Sequence, residues 1–167
     1  LARKDRNPDT TPQGQGYFMS HHPSGHAPAG RAPEEHGALL HSLPIELRWR
    51  DLDAFNHVNN SNFMTYLEEA RIRWFQSLGE DWMTEEAIPL LAAVQMNYRV
   101  PIPYPARVVV ELFADRIGNT SLTLGHRIAS DDGTILHADG HVVMVWVGRV
   151  SGRPTALPDV VRRIASG

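Results

Sequence analysis

Cysteine is absent from the 167 residues of the chain. This absence excludes disulfide bonds, thiolate nucleophiles and cysteine-ligated zinc or iron–sulfur sites. The chain also lacks any apolar run approaching the roughly 18 residues that a transmembrane helix needs, and its N-terminal residues lack the apolar region of a signal peptide. We therefore expect a cytoplasmic protein with no membrane partner.

A strong excess of one charge is missing as well, because the net charge is −3 and the isoelectric point is near 6.3. Such a balance gives no general attraction for nucleic acid, which we do not expect as a partner. The composition is that of an ordinary globular protein, with 42% hydrophobic and 21% charged residues. The length allows one domain with a substantial core.

The first 36 residues hold five prolines and four glycines, with almost no large apolar residue after Met19. Such a segment cannot bury enough apolar surface to offset its ordering entropy. We predict a disordered N-terminal tail over residues 1–36 and one folded domain over residues 37–167. Flexible histidines hold metal weakly, so His21, His22 and His26 are assigned no role and no metal site is predicted.

Apolar periodicity predicts one long helix in the first half of the domain. The apolar stripe of this helix is formed by Phe63, Leu67, Ala70, Trp74 and Leu78. Asn59, Asn60 and Ser61 are candidate N-caps, and Gly79 is placed to end the helix in a left-handed turn.

Alternation of apolar and polar residues predicts strands over residues 43–50, 91–100, 107–114, 120–129 and 134–147. Turn signals at residues 118–119 and 131–133 require the strands that they join to be antiparallel. A short helix is predicted to begin near residue 158. The predicted class is α+β, with an antiparallel sheet of about five strands wrapped around one long helix, which is the geometry of a hotdog fold.

Polar functional groups concentrate just before the long helix, between Asp51 and Asn60. Asp53 and His57 immediately precede the helix N-terminus, whose first N–H groups have no intrahelical partner and form the positive end of the dipole. A carboxylate beside such donors suits a reaction in which negative charge develops on an oxygen atom. The sequence lacks the motifs of serine hydrolases, P-loop enzymes, Rossmann enzymes and zinc proteases.

Residues 48–71, RWRDLDAFNHVNNSNFMTYLEEAR, resemble the opening of the hydroxybenzoyl-CoA thioesterase-like family of hotdog-fold acyl-CoA thioesterases. The resemblance continues through Asn97-Tyr98 and the prolines that follow, through residues 118–121 and through residues 152–158, and covers residues 44–163. Members of the family often have glycines where this chain has Phe55 and Asn56.

The resemblance implies hydrolysis of an acyl-CoA, or of a related acyl-carrier thioester, with Asp53 as the nucleophile or the general base. It places the backbone N–H of Asn60 at the thioester oxygen, and it leaves His57 either positioning substrate or holding the loop together. The candidate substrate-binding residues are Asn59, Phe63, Tyr66, Thr120 and Ser121. No cofactor is expected, because CoA is part of the substrate.

The alternative is a non-catalytic hotdog protein that binds acyl-CoA or serves as an assembly subunit, since a fold does not fix a function. An enoyl-CoA hydratase is less compatible, because no proline lies between Asp53 and His57. The free edges of a single sheet predict self-association as a homodimer or tetramer. Arg99, Arg116 and Arg127 are candidate contacts of the CoA phosphates.

Overall fold

The computed structural model describes residues 33–79 and 82–167. Its elements are β1 (Ala38–Glu46), a 3₁₀ turn (Trp49–Asp51), α1 (Asn60–Ser77), β2 (Ile88–Tyr98), β3 (Arg107–Ile117), β4 (Ser121–Ser130), β5 (Leu136–Val147) and α2 (Asp159–Ala165). The predicted succession of a strand, a long helix, four strands and a short helix is confirmed. Predictions for residues 1–32, including the three tail histidines, lie outside the described residues.

The five strands form one sheet in the order β1-β3-β4-β5-β2. Every neighbouring pair is antiparallel, as the short turns between the later strands require. The inner face of the sheet packs on α1, and the side chains of Leu122, Leu124 and Ile128 on this face have no exposed surface. β1 and β2 are the edge strands, so their outer sides have no neighbouring strand among the described residues.

The first strand differs from its prediction at both ends. β1 begins at Ala38, five residues before its predicted start at residue 43. A register shift between Leu39 and His41 interrupts the alternation of apolar and polar residues that would have indicated the earlier start. Beyond its end, Asp51 accepts hydrogen bonds from the Arg48 N–H at 3.0 Å and from the Arg48 guanidinium at 3.2 Å. These bonds favour a tight turn, so residues 49–51 form a 3₁₀ turn and do not continue the strand.

The long helix buries four residues of the predicted stripe, Phe63, Leu67, Ala70 and Trp74, against the sheet. The fifth, Leu78, is the C-cap of the helix and is partly buried. Asn59 caps the helix, because its Oδ1 accepts the Ser61 N–H at 3.0 Å. Gly79 follows the helix with a φ of 92°, the left-handed conformation that glycine adopts without strain. No described helix has the length and apolar content needed to span a membrane.

A short segment before β1, residues 33–37, crosses the outer face of the sheet, and we call it the strap. The Gly37 N–H donates to Asp115 Oδ1 at 3.0 Å. Farther along the strap, the Glu34 N–H donates to Asp139 Oδ2 at 2.9 Å. The strap includes the last residues of the predicted tail, so contacts with the sheet begin before residue 37.

Candidate active site

A cavity of about 260 Å³ opens beside the N-terminus of α1. It is lined by Asp53, His57, Val58, Asn60, Phe63, Tyr98, Arg99, Val100 and Pro101. Its two sides are joined by a hydrogen bond from the Val58 N–H to the Ile102 carbonyl at 3.0 Å and by a β-bridge between His57 and Pro103. The fold thus brings a carboxylate, an imidazole and a helix N-terminus to one opening.

The carboxylate of Asp53 is held in place by the loop that it begins. Its Oδ1 accepts the Phe55 N–H at 2.8 Å and the His57 N–H at 3.2 Å. The Asp53 N–H donates to the His57 carbonyl at 2.8 Å and closes the loop. Oδ2 of Asp53 has no hydrogen-bond partner among the described residues, which leaves this oxygen available to a bound molecule.

The same loop requires one residue with a left-handed backbone. Asn56 has a φ of 62°, a conformation that asparagine tolerates better than most residues other than glycine. Asparagine therefore preserves the loop at a position where the resembling family often has glycine.

The first turn of α1 contains an N–H that has no acceptor among the described residues. The Ser61 N–H donates to the Asn59 side chain, and the Asn62 N–H donates to the Asn59 carbonyl at 2.8 Å. The N–H of Asn60 has no acceptor in the part of the chain that the structure describes. A donor of this kind at the positive end of a helix is suited to binding an oxygen on which negative charge develops.

Residues 98–101, which we call the wall, form the side of the cavity opposite the loop. The Tyr98 hydroxyl donates to the Asn60 carbonyl at 3.3 Å. The Tyr98 and Phe63 rings meet edge to face, with centroids 5.1 Å apart and an interplanar angle of 82°. Together with Val100 and Pro101 these rings give the cavity an apolar side next to its polar one.

Asp51, two residues before Asp53, lies outside the cavity and is 2% exposed. It accepts hydrogen bonds from Arg48 and from the Tyr66 hydroxyl, the latter at 2.9 Å. Burial raises the pKa of Asp51, but the hydrogen bonds from Arg48 and Tyr66 outweigh burial and hold that pKa below its ordinary value. Burial and the bond to Asp51 together raise the pKa of Tyr66. Asp51 is thus an ionised acceptor inside the fold.

The structure brings four of the eight predicted site residues to the cavity: Asp53, His57, Asn60 and Phe63. The side chain of Asn59 caps α1, and Tyr66 lines a different cavity, of about 650 Å³, between β1 and α1. Tyr66 lies elsewhere because its helical position faces β1, which the apolar pattern of the helix alone does not reveal.

Thr120 and Ser121 lie at the opposite end of the sheet from the cavity. Ser121 pairs with Val145 and Val145 with Leu90, whereas Tyr98 is eight residues farther along β2. At about 3.3 Å per strand residue this separation is about 26 Å. Within one chain these two side chains therefore do not reach the cavity.

Sequence reasoning missed Val58, Val100 and Pro101 as parts of the cavity. The run of prolines after β2 was a usable signal, because proline forces the chain to leave the sheet at that point. Of the three candidate phosphate contacts, Arg99 is paired with Asp139 at 2.7 Å, and Arg127 lies opposite the same Asp139 in the β4–β5 pairing and 4.0 Å from Glu111. Arg116 lies near the end of β3.

The chain is similar to a known protein family and to proteins of known structure. Residues 47–164 match the model of the Thioesterase-like superfamily. The Escherichia coli long-chain acyl-CoA thioesterase FadM is 25% identical over 120 residues, which cover 71% of this chain and 91% of FadM. The PA2801 protein of Pseudomonas aeruginosa superposes with a TM-score of 0.70 at 40% identity, covering 75% of this chain and 97% of that one.

A thioesterase from Thermus thermophilus, in complex with coenzyme A and zinc, is also similar in structure. It superposes with a TM-score of 0.66 at 33% identity, covering 78% of this chain and 100% of that one. With these similarities the predicted hotdog architecture is confirmed, with the short α2 accompanying the one long helix.

Proposed function

The chain belongs to the Thioesterase-like superfamily, and from that premise we propose that it hydrolyses the thioester bond of an acyl-CoA, or of a related acyl-carrier substrate, to a free acid and a thiol. The observation that supports this most strongly is the placement of the Asp53 carboxylate in a cavity beside the N-terminus of α1. The similarity to FadM and to a thioesterase that binds coenzyme A favours an acyl-CoA over other thioesters.

In the proposed reaction Asp53 acts in its ionised form. Oδ1 is held by two backbone N–H groups, and Oδ2 is left to attack the thioester carbonyl carbon or to take a proton from an attacking water. Attack by Asp53 forms a mixed anhydride and expels the thiolate, and water then hydrolyses the anhydride. Attack by water gives the acid directly, and the thiolate takes up a proton in either case.

The N–H of Asn60 is the proposed donor to the thioester oxygen. Negative charge builds on this oxygen when the carbonyl carbon becomes tetrahedral, and a donor already in position stabilises the charge without reorganisation. The α1 dipole adds to this effect because its positive end is at the same place. His57 lines the same cavity, and we assign to it the positioning of substrate.

The acyl group is proposed to lie against Phe63 and the wall. The paired rings of Phe63 and Tyr98 provide an apolar surface that suits an aryl or a fatty acyl group. The cavity of about 260 Å³ lies near the lower end of the sizes of small-molecule sites, so one chain encloses only part of a large substrate.

We further propose that the protein acts as at least a homodimer joined through β2. This edge strand exposes Leu90, Leu91 and Val94 by 49%, 43% and 40%, and natural proteins cover such edges. A twofold axis that pairs two β2 strands antiparallel sets the cavity end of one chain beside the opposite end of its partner. Thr120 and Ser121 of the partner subunit then approach the cavity, with Arg116 of the partner subunit available to a phosphate.

Release of thiol from a panel of acyl-CoA substrates tests the proposal. The account predicts continuous release of thiol with at least one acyl group, in amounts that exceed the enzyme by many turnovers. Binding of acyl-CoA without thiol release from any member of the panel would instead support the non-catalytic acyl-CoA-binding function.

A further inference from the structure

Asp139 on β5 connects the strap to the wall of the cavity. Its carboxylate has no exposed surface. It accepts hydrogen bonds from Arg99 Nε at 2.8 Å and Arg99 Nη2 at 2.7 Å, from Asn97 Nδ2 at 3.1 Å and from the Glu34 N–H at 2.9 Å. A carboxylate offers about four lone-pair positions, so these four bonds satisfy it.

The backbone of Arg99 is part of the wall, whereas its side chain lies on the outer face of the sheet, where it contacts Asp139. The Arg99 N–H and the Val100 N–H donate to the His137 carbonyl at 2.9 Å and 3.3 Å. The preceding residue, Tyr98, presents its ring to Phe63 inside the cavity. Fixing the Arg99 side chain therefore limits how far the Tyr98 ring can shift.

The strap is held on the sheet by contacts of its own. His36 stacks on Phe113 with ring centroids 5.0 Å apart, and its Nδ1 is 3.0 Å from Asp115 Oδ2. The ring of His36 occupies the space over Gly125, where a Cβ atom would collide with it. The strap precedes residues 47–164, so it lies outside the segment that matches the family model.

A buried ion pair is stable only when the remaining hydrogen-bonding positions of its carboxylate are also filled. Burial raises the pKa of Asp139, but the bonds from Arg99, the Glu34 N–H and Asn97 outweigh burial and hold that pKa below its ordinary value. The strap supplies one of these bonds, from Glu34, which is 105 residues before Asp139 in sequence.

We propose that Asp139 is a positioning residue for the cavity, because it fixes the side chain of Arg99 and thereby the wall. The strap stabilises this arrangement through the hydrogen bond from the Glu34 N–H to Asp139. Loss of that bond loosens the wall and weakens the contact of the acyl group with Tyr98. The effect on catalysis rests on the proposed function, whereas the coupling of strap and wall does not.

Two variants of the full chain separate the backbone bond from the Glu34 side chain. Glu34→Pro removes the N–H, because proline has none. Glu34→Ala keeps the N–H and removes the carboxylate that lies 3.5 Å from His141. Amide hydrogen exchange at Arg99 and Val100 reports on the wall without any need for activity. We expect exchange at both amides to be about ten-fold faster in Glu34→Pro, and unchanged in Glu34→Ala.

Steady-state kinetics then measure the consequence for substrate. We expect Glu34→Pro to raise KM for acyl-CoA at least three-fold with kcat within two-fold of the parent, and Glu34→Ala to match the parent. Equal exchange in the two variants overturns the proposal, and so does faster exchange with an unaltered KM. If the parent releases no thiol, the proposed function fails, and the exchange comparison alone decides whether the strap holds the wall.

Discussion

At the scale of single residues, two carboxylates in one loop have different surroundings and therefore different expected roles. Asp51 is buried and hydrogen-bonded to Arg48 and Tyr66. Asp53 lines a cavity, and one of its carboxylate oxygens has no hydrogen-bond partner among the described residues. Local hydrogen bonds of an aspartate in a turn-forming segment, such as Asp51, are predictable from sequence. Its bond to Tyr66 was not predictable, because that contact depends on how α1 docks against the loop.

Asp51→Asn is expected to lower stability. The amide cannot accept from Arg48 and Tyr66 as the carboxylate does, and weakening a buried charged hydrogen-bond network costs about 1–3 kcal/mol. For a domain of this size we expect the Tm to fall by about 4–10 °C. Thermal unfolding measures the change, and Tyr66→Phe, which removes one of the donors, should show a smaller loss in the same direction. A Tm equal to that of the parent in both variants would contradict a structural role for this network.

A buried histidine gives stability a pH dependence. His126 has no exposed surface, and neither ring nitrogen has a partner among the described residues. Burial, followed by the nearby His36 and Arg71, lowers the pKa of His126 to about 3. Between pH 6.5 and pH 3 the unfolded chain binds a proton at this histidine that the folded chain excludes, so stability falls as the pH falls through this range.

We expect this histidine alone to make the parent about 2 kcal/mol less stable at pH 5 than at pH 7. His126→Leu, an apolar replacement of similar size, should lose this part of the dependence. Urea unfolding of both proteins at pH 7, 6 and 5 measures it. An identical slope of unfolding free energy against pH in parent and variant would show that folding does not lower the pKa of His126.

At the scale of elements, the sequence predicts α1 and the later strands well because their periodicity is uninterrupted. The predictions fail where local contacts compete with the pattern, as when Asp51 draws Arg48 into a turn at the end of β1. The candidate site follows the same division. Asp53, His57 and Asn60 are predictable because they are neighbours in sequence, whereas the contribution of Val100 and Pro101 depends on where the chain after β2 passes the start of α1.

The start of α1 offers a test of the role of Asn59. Its Oδ1 accepts from the Ser61 N–H and from the Ser61 hydroxyl, so Asn59→Ala should cost about 1 kcal/mol of stability, the usual effect of losing an N-cap. Asn59→Ser keeps a capping oxygen and should be close to the parent. Chemical unfolding compares the three proteins. Asn59→Ala with parental stability but a much higher KM would favour the substrate-binding role predicted from the sequence.

At the scale of the whole molecule, the two sheet edges differ in what they expose and in what we expect to cover them. β2 is next to the cavity, whereas β1 is at the far edge of the sheet. In the proposed dimer, association through β2 brings the partner's Thr120 and the partner's Ser121 towards the cavity. Self-association and catalysis are therefore coupled in the proposed function.

Val94→Lys places a charge on the β2 edge and should disfavour strand pairing there. We expect sedimentation at micromolar concentration to show a dimer or larger assembly for the parent and a monomer for the variant, with a loss of thiol release that follows the loss of assembly. Leu39→Lys is the matched control on β1, where the leucine is 55% exposed. A parent that is a fully active monomer would contradict the shared site.

The central claim is that the ionised Asp53 carboxylate performs the chemistry, and Asp53→Asn tests it most directly. The amide can still accept the Phe55 and His57 N–H groups through its own oxygen, so the loop and the Tm should be retained. The account predicts a fall in kcat of about 10²–10⁴-fold, with a much smaller change in substrate binding. Asp51→Asn is the control and should affect Tm much more than kcat. Turnover by Asp53→Asn within a few-fold of the parent would contradict the account.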